Sequence, residues 1–129
     1  MNYNDFIGKV QNLSRLGTTG ETVRATRATL KVLGERLYGG EAKDLAAQLP
    51  EEIGVYLQQD GSKSAFGVQE FYKRVSKEEG VALPLAIHHA RSVIAVVQEA
   101  VSGGEIQDVR EQLPDEYDDL FEAGIEGTE

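Results

Sequence analysis

Four acidic residues are the first candidates for chemistry in this chain. Glu41 and Asp44 lie three positions apart, and Glu105 and Asp108 repeat that spacing. On a helix, residues three apart share a face, so each pair presents two carboxylates together. Hard divalent cations bind such clusters, and an internal two-fold axis could bring all four together. Acids in the first turn of a helix also stabilise its unpaired N–H groups, and because we expect that structural role we predict no metal.

The two histidines, His88 and His89, predict neither a zinc site nor a catalytic set. Adjacent helical positions point about 100° apart, and no acid or third histidine lies three or four residues from either. Zinc requires more ligands than this, and the chain has no cysteine. A serine or threonine nucleophile would need one of these histidines as its base, and the spacing supports no triad. We therefore predict polar or helix-facing histidines, no enzyme activity and no cofactor.

Basic side chains form the remaining pattern. Arg24, Arg27 and Lys31, at spacings of three and four, form a stripe on one helix face. The corresponding stretch of the second half keeps one arginine, Arg91. The stripe could receive the acidic C-terminal helix of its own chain, that of a neighbouring copy, or an anion such as phosphate or nucleic acid. The alternative is an ordinary solvated face with weak ion pairs.

The charge of the chain is uneven. Residues 1–64 contain eight basic and eight acidic side chains, whereas residues 65–129 contain five basic and fourteen acidic ones. Ten of these acids follow Gly104, so the chain ends in an acidic segment. The net charge of −9 argues against a general nucleic-acid binder, which gains affinity by neutralising phosphates.

Composition also indicates the compartment. Charged residues interrupt every apolar stretch before the roughly 18 residues that a membrane span requires. The N-terminal residues lack the basic start and apolar stretch of a secretory signal. The absence of cysteine fits a reducing compartment. We expect a cytoplasmic protein with no membrane span.

An internal repeat supplies the elements that position these residues. Residues 39–50 recur as residues 103–114, with seven of twelve positions identical. The same shift of 64 aligns the apolar residues of two long segments, and their spacings of three and four are helical. These residues are Val23, Thr26, Leu30, Leu33 and Leu37 in the first copy and Ile87, Ala90, Ile94, Val97 and Val101 in the second.

The pattern predicts four helices per copy, at residues 2–15, 19–38, 41–49 and 50–58, then 67–79, 84–102, 104–113 and 114–123. Thr18 and Glu21 predict a capping box, and Pro84 fits a first helical turn. Glycines 39–40 and 103–104 predict left-handed caps at the ends of the long helices.

The predicted fold is all-α, a pseudo-twofold helical bundle built from two tandem four-helix units. A unit of about sixty residues buries too little apolar surface to be stable alone, so the units should share one core. We therefore expect a single domain over residues 1–129. Its repeats span about 6–58 and 71–121, its polar linker 58–66, and its frayed tail 124–129.

Three features together resemble a known family. They are the stretch Phe71-Tyr72-Lys73-Arg74-Val75, the long helix with Arg91, and the repeated Gly-Gly-Glu…Asp…Gln-Leu-Pro segment. The chain resembles the bacterial family called domain of unknown function 2267 over residues 6 to 121. The resemblance implies an all-helical bacterial protein, and it implies no activity and no functional residues.

The function predicted from these observations is a non-enzymatic protein–protein interaction module. Its basic stripe and its acidic second half would dock a partner protein or another subunit. One alternative is an anion or nucleic-acid binder that uses Arg24, Arg27 and Lys31. The other is a small-molecule or metal binder between the repeats.

Overall fold

The computed structural model of the protein describes residues 1–58 and 63–122, and this part of the chain is all-helical. The first half contains α1 (Tyr3–Ser14), α2 (Thr19–Arg36), α3 (Glu41–Ala47) and α4 (Glu51–Gly54), which continues as a 3₁₀ turn (Val55–Gln58). The second half contains α5 (Val68–Glu79), α6 (Leu83–Ala100), α7 (Gly103–Glu111), a 3₁₀ turn (Asp115–Tyr117) and α8 (Asp118–Phe121). The all-helical prediction is confirmed.

The long helices α2 and α6 lie at the centre of the packing. Each contacts α1, α5 and the other long helix. The predicted apolar stripe of α2 faces inward, since Thr26, Leu30, Leu33 and Leu37 are at most 1% exposed. One hydrophobic cluster contains buried side chains from both halves, and the short helices α3 and α7 contact each other beside it.

Each long helix starts within one residue of the predicted position, but the predicted capping box at Thr18 is incomplete. The Thr18 hydroxyl accepts a hydrogen bond from the Glu21 backbone N–H at 3.1 Å and donates to the Glu21 carboxylate at 2.9 Å. Glu21 thus binds the hydroxyl of the N-cap residue rather than its backbone N–H, a variant of the capping box. Pro84 lies in the first turn of α6, where its missing N–H costs no helical hydrogen bond.

The ends of the long helices differ from the prediction. Both end at residues with extended backbone, Leu37 and Val101, so the glycine pairs do not cap them. Glycines 39–40 have positive φ angles but lie in the turn that precedes α3. Glycines 103–104 begin α7, because the Ser102 hydroxyl caps that helix by accepting from the Glu105 N–H at 3.1 Å.

The fourth helix of each half is shorter than predicted. Residues 50–58 form four α-helical residues and a 3₁₀ turn, and residues 114–121 form a 3₁₀ turn and four α-helical residues. The tighter 3₁₀ form is common where a short helix begins or ends. Part of the predicted linker and the whole predicted tail lie outside the described residues.

A glycine allows the fourth helical segment of the first half to pack directly on α2. A Cβ at Gly34 would lie 2.9 Å from the carbonyl carbon of Leu57 and closer still to its oxygen. Gln98 occupies the corresponding place in the second half, and its Nε2 donates to the Phe121 carbonyl at 3.2 Å. The long helix therefore contacts the same carbonyl position in both halves.

Gly34→Ala is expected to lower the free energy of unfolding by about 1–3 kcal/mol, because the backbone near Leu57 must move. Gly8→Ala in α1 is the matched control, since its added Cβ has no atom of the described residues within 4 Å beyond its chain neighbours and its own helix backbone. That control should be stabilising by up to about 1 kcal/mol from helix propensity. Urea denaturation followed by circular dichroism measures both changes, and an equal gain in both variants would contradict the close contact.

No single helix of the described residues is long and apolar enough to cross a membrane. Helices α5 and α6, which meet at a bend of 100°, satisfy that criterion only as a pair and only by length and composition.

Candidate functional site

Three of the four candidate acids come together where α3 meets α7. Glu41 is the first residue of α3, and Glu105 and Asp108 lie one turn apart on α7. One carboxylate oxygen from each of the three lies within 4.8 Å of the others. Asp44 is exposed and lies outside this group, although its charge acts on Glu105. We call Glu41, Glu105 and Asp108 the carboxylate cluster.

Glu105 is the buried member of the carboxylate cluster. Its side chain points inward and the residue is 8% exposed, whereas Glu41 is half-buried and Asp108 is exposed. The Oε2 atoms of Glu41 and Glu105 have no hydrogen-bond partner among the described residues. Burial, followed by the contact with Glu41 and the charges of the nearby acids, raises the pKa of Glu105 to about 7. When it is ionised, the cluster thus concentrates negative charge, and the described residues offer no hydrogen-bond donor to the two Oε2 atoms.

Two glutamine side chains form hydrogen bonds across the junction of α3 and α7, where the carboxylate cluster lies. Gln48 Oε1 accepts from the Ser102 backbone N–H at 2.8 Å. Gln112 makes the reciprocal contact, since its Oε1 accepts from the Tyr38 N–H at 3.0 Å and its Nε2 donates to the Tyr38 carbonyl at 2.9 Å. Both glutamines belong to the repeated Gln-Leu-Pro segment, so this segment fixes α3 against α7.

The basic stripe predicted on α2 divides in two. Lys31 is held within the chain, with its Nζ 2.6 Å from Glu78 of α5 and 3.6 Å from Glu35. Arg24 and Arg27 are exposed and form no ion pair within residues 1–58 and 63–122. The available part of the stripe is therefore the pair Arg24 and Arg27.

Arg91, the fourth candidate interaction residue, already has a partner. Its guanidinium lies 2.8 Å from Asp119 Oδ2 of α8, and the Tyr72 hydroxyl donates to the same oxygen at 2.7 Å. The hydrogen bonds from Tyr72 and then from Arg91 lower the pKa of Asp119. Arg110 likewise binds Asp118 and Glu122. The described part of the acidic end thus docks on its own chain at these two arginines.

Both histidines make polar contacts, as predicted, but the sequence spacing did not indicate the partner of His89. His88 Nε2 lies 3.2 Å from the Ser14 carbonyl. His89 Nδ1 lies 2.5 Å from Glu79 Oε2, and both side chains are at most 4% exposed. Glu79 ends α5 in register with the buried residues Val68, Phe71 and Val75. The position of Glu79 on the apolar face of its helix was the sequence signal that could have indicated a buried acid with a buried partner.

The described residues thus define a small all-helical protein whose two halves share one core and meet at a carboxylate-rich junction. The chain belongs to the family of uncharacterised conserved proteins called DUF2267, whose family model matches residues 3–120. The family resemblance noted in the sequence is thereby confirmed. No curated protein matches the chain.

Proposed function

We propose that this protein is a non-enzymatic interaction module that binds an acidic segment of a partner protein at Arg24 and Arg27. The observation that carries the proposal is the contrast between Arg27 and Arg91, which correspond at a shift of 64 residues. Arg91 is held by Asp119, whereas Arg27 is exposed and has no acidic partner among the described residues. The first half therefore exposes an arginine whose counterpart in the second half is neutralised by an ion pair.

Packing explains why the described part of the first half offers Arg27 no such partner. The contact of Gly34 with the Leu57 carbonyl matches that of Gln98 with the Phe121 carbonyl, again at a shift of 64. Val55 stands two residues before Leu57, as Asp119 stands two residues before Phe121. Val55 is 54% exposed and has no charge to offer Arg27. A partner that supplies a carboxylate and an apolar contact would complete the arrangement seen at Arg91.

We also propose that the halves are tandem copies related by an approximate two-fold axis. The reciprocal glutamine contacts support this, because position i of each copy binding position j of the other is the signature of two-fold symmetry. The helix lengths support it too, since α1 and α5 each have 12 residues, and α2 and α6 each have 18. In this arrangement the divergent charges, rather than the repeated signature, would provide specificity.

The test is affinity capture with charge-reversed variants, read by quantitative mass spectrometry. Arg24→Glu/Arg27→Glu is compared with Lys73→Glu/Lys77→Glu, which makes the same charge change on exposed residues of α5 that have no ion pair in the described chain. Each exposed charge contact contributes about 0.2–1 kcal/mol. Reversing two of them should lower the affinity for an acidic partner by about tenfold.

The captured protein must be acidic and must be retained by the lysine variant. Equal capture by wild type and both variants would contradict a role for Arg24 and Arg27. A short duplex DNA at low salt tests the nucleic-acid alternative, because binding that depends on phosphate neutralisation is strongest there. Tight DNA binding by the wild type that the arginine variant loses would identify a nucleic acid, rather than an acidic protein, as the ligand of Arg24 and Arg27.

A further inference from the structure

We propose that the carboxylate cluster of Glu41, Glu105 and Asp108 binds one hard divalent cation, of the Ca²⁺ and Mg²⁺ class, between α3 and α7. This site is independent of the Arg24 and Arg27 surface. The cation would bind one acid of the first half and two acids of the second half, so it would hold the two halves together at their junction.

Geometry brings the three side chains within reach of one ion. Their nearest ligand oxygens lie within 4.8 Å of one another. Oxygens that bind Ca²⁺ lie about 2.3–2.6 Å from the ion, so two of them on opposite sides are separated by up to about 5 Å. The ligand atoms are all carboxylate oxygens, with no imidazole among them and no cysteine in the chain. This donor set favours hard cations over Zn²⁺ or Cu²⁺.

The buried, unpartnered oxygen of Glu105 is the second and independent observation. Glu105 is 8% exposed, and its Oε2 has no hydrogen-bond donor within the described residues. No lysine or arginine of the described chain forms an ion pair with any member of the cluster. A buried carboxylate without a donor is costly, and it faces further carboxylates rather than a cation from the protein. A bound cation would supply the missing positive partner.

The role of these acids in helix capping does not account for this arrangement. An acid stabilises a helix N-terminus equally well when its side chain remains in water, as that of Asp44 does in the first turn of α3. Glu105 instead turns into the junction and meets Glu41 from the opposing helix. The reciprocal bonds of Gln48 and Gln112 hold the two helices together, so the cluster is positioned before any ion binds.

The experiment is calorimetric titration of the full chain, freed of metal with a chelator, at a pH of about 8, where Glu105 is ionised. CaCl₂ and MgCl₂ are added separately to about 5 mM, above the weakest range of protein Ca²⁺ sites. We expect one ion per chain. Glu105→Gln keeps the side-chain shape and removes one ligand charge. Loss of an outer-sphere partner costs about 10–100-fold in affinity, so loss of a direct ligand should cost at least tenfold.

Two further variants make the result decisive. Asp108→Asn changes an exposed ligand, so it tests the site even if Glu105→Gln perturbs the core. Glu111→Gln is the control, since it removes one negative charge from an exposed position of the same helix and should bind as wild type does. Absence of binding by the wild type with either ion would overturn the proposal. Equal binding by all four proteins would overturn it as well, because it would indicate diffuse attraction to an acidic surface.

Discussion

His89→Leu is expected to lower the free energy of unfolding by about 3–5 kcal/mol. His89 Nδ1 lies 2.5 Å from Glu79 Oε2, and the other carboxylate oxygen of Glu79 has no hydrogen-bond partner in the described part of the chain. The substitution would leave the carboxylate, whose side chain is 2% exposed, without a partner in the protein interior. An uncompensated buried charge is among the costliest single defects. Urea denaturation at neutral pH measures the loss.

The double variant Glu79→Met/His89→Leu separates lost polarity from lost packing. Replacing both members of a buried polar pair by apolar residues of similar volume is often close to neutral, so we expect it to recover most of the stability. His88→Leu is the control on the same helix, because that half-exposed side chain makes one hydrogen bond, worth about 1 kcal/mol. If the double variant is as unstable as His89→Leu, the cause is the packing of the imidazole ring.

The sequence was sufficient to predict the order of the helices, although not all of their ends, because their apolar spacing is regular. It could not distinguish the two glycine pairs, which have the same letters but different conformations. Ser102 precedes the second pair and can cap a helix, so α7 begins at once. Tyr38 precedes the first pair and has no such capping oxygen, so two left-handed glycines form a turn before α3. One neighbouring side chain therefore decides the local structure.

The candidate sites were predicted only as far as they depend on one helix. Spacing placed Glu105 and Asp108 on one face of α7, but the burial of Glu105 follows from the approach of α3. Spacing likewise grouped Lys31 with Arg24 and Arg27. The partner of Lys31, Glu78, is 47 residues away on α5, and no helical period connects them. Pairings between helices require the tertiary structure.

The stability of the metal-free protein is expected to fall as the pH rises from about 4.5 to about 7, by up to about 3 kcal/mol as Glu105 and its neighbour Glu41 lose their shared proton. The ordinary value of 4.5 applies to the unfolded chain, and burial beside other acids raises the pKa to about 7 in the folded state. Between these values the folded state binds the proton more tightly, so the stabilisation present at low pH is lost as Glu105 ionises. Unfolding free energies measured at several pH values with a chelator present test this directly.

Glu105→Gln should remove most of this pH dependence, because the amide resembles the protonated acid and stays neutral. Above a pH of about 7 the variant should be more stable than the metal-free wild type, and below about 4.5 the two should agree. Glu111→Gln provides the control, since its exposed carboxylate should leave the profile unchanged. Comparing wild type with the variant also separates the contribution of Glu105 from that of other acids, which both proteins share. Asp119 is one of these, and because its pKa is lowered, its contribution to stability changes with pH in the opposite direction. A constant difference across this range would show that folding does not raise the pKa of Glu105.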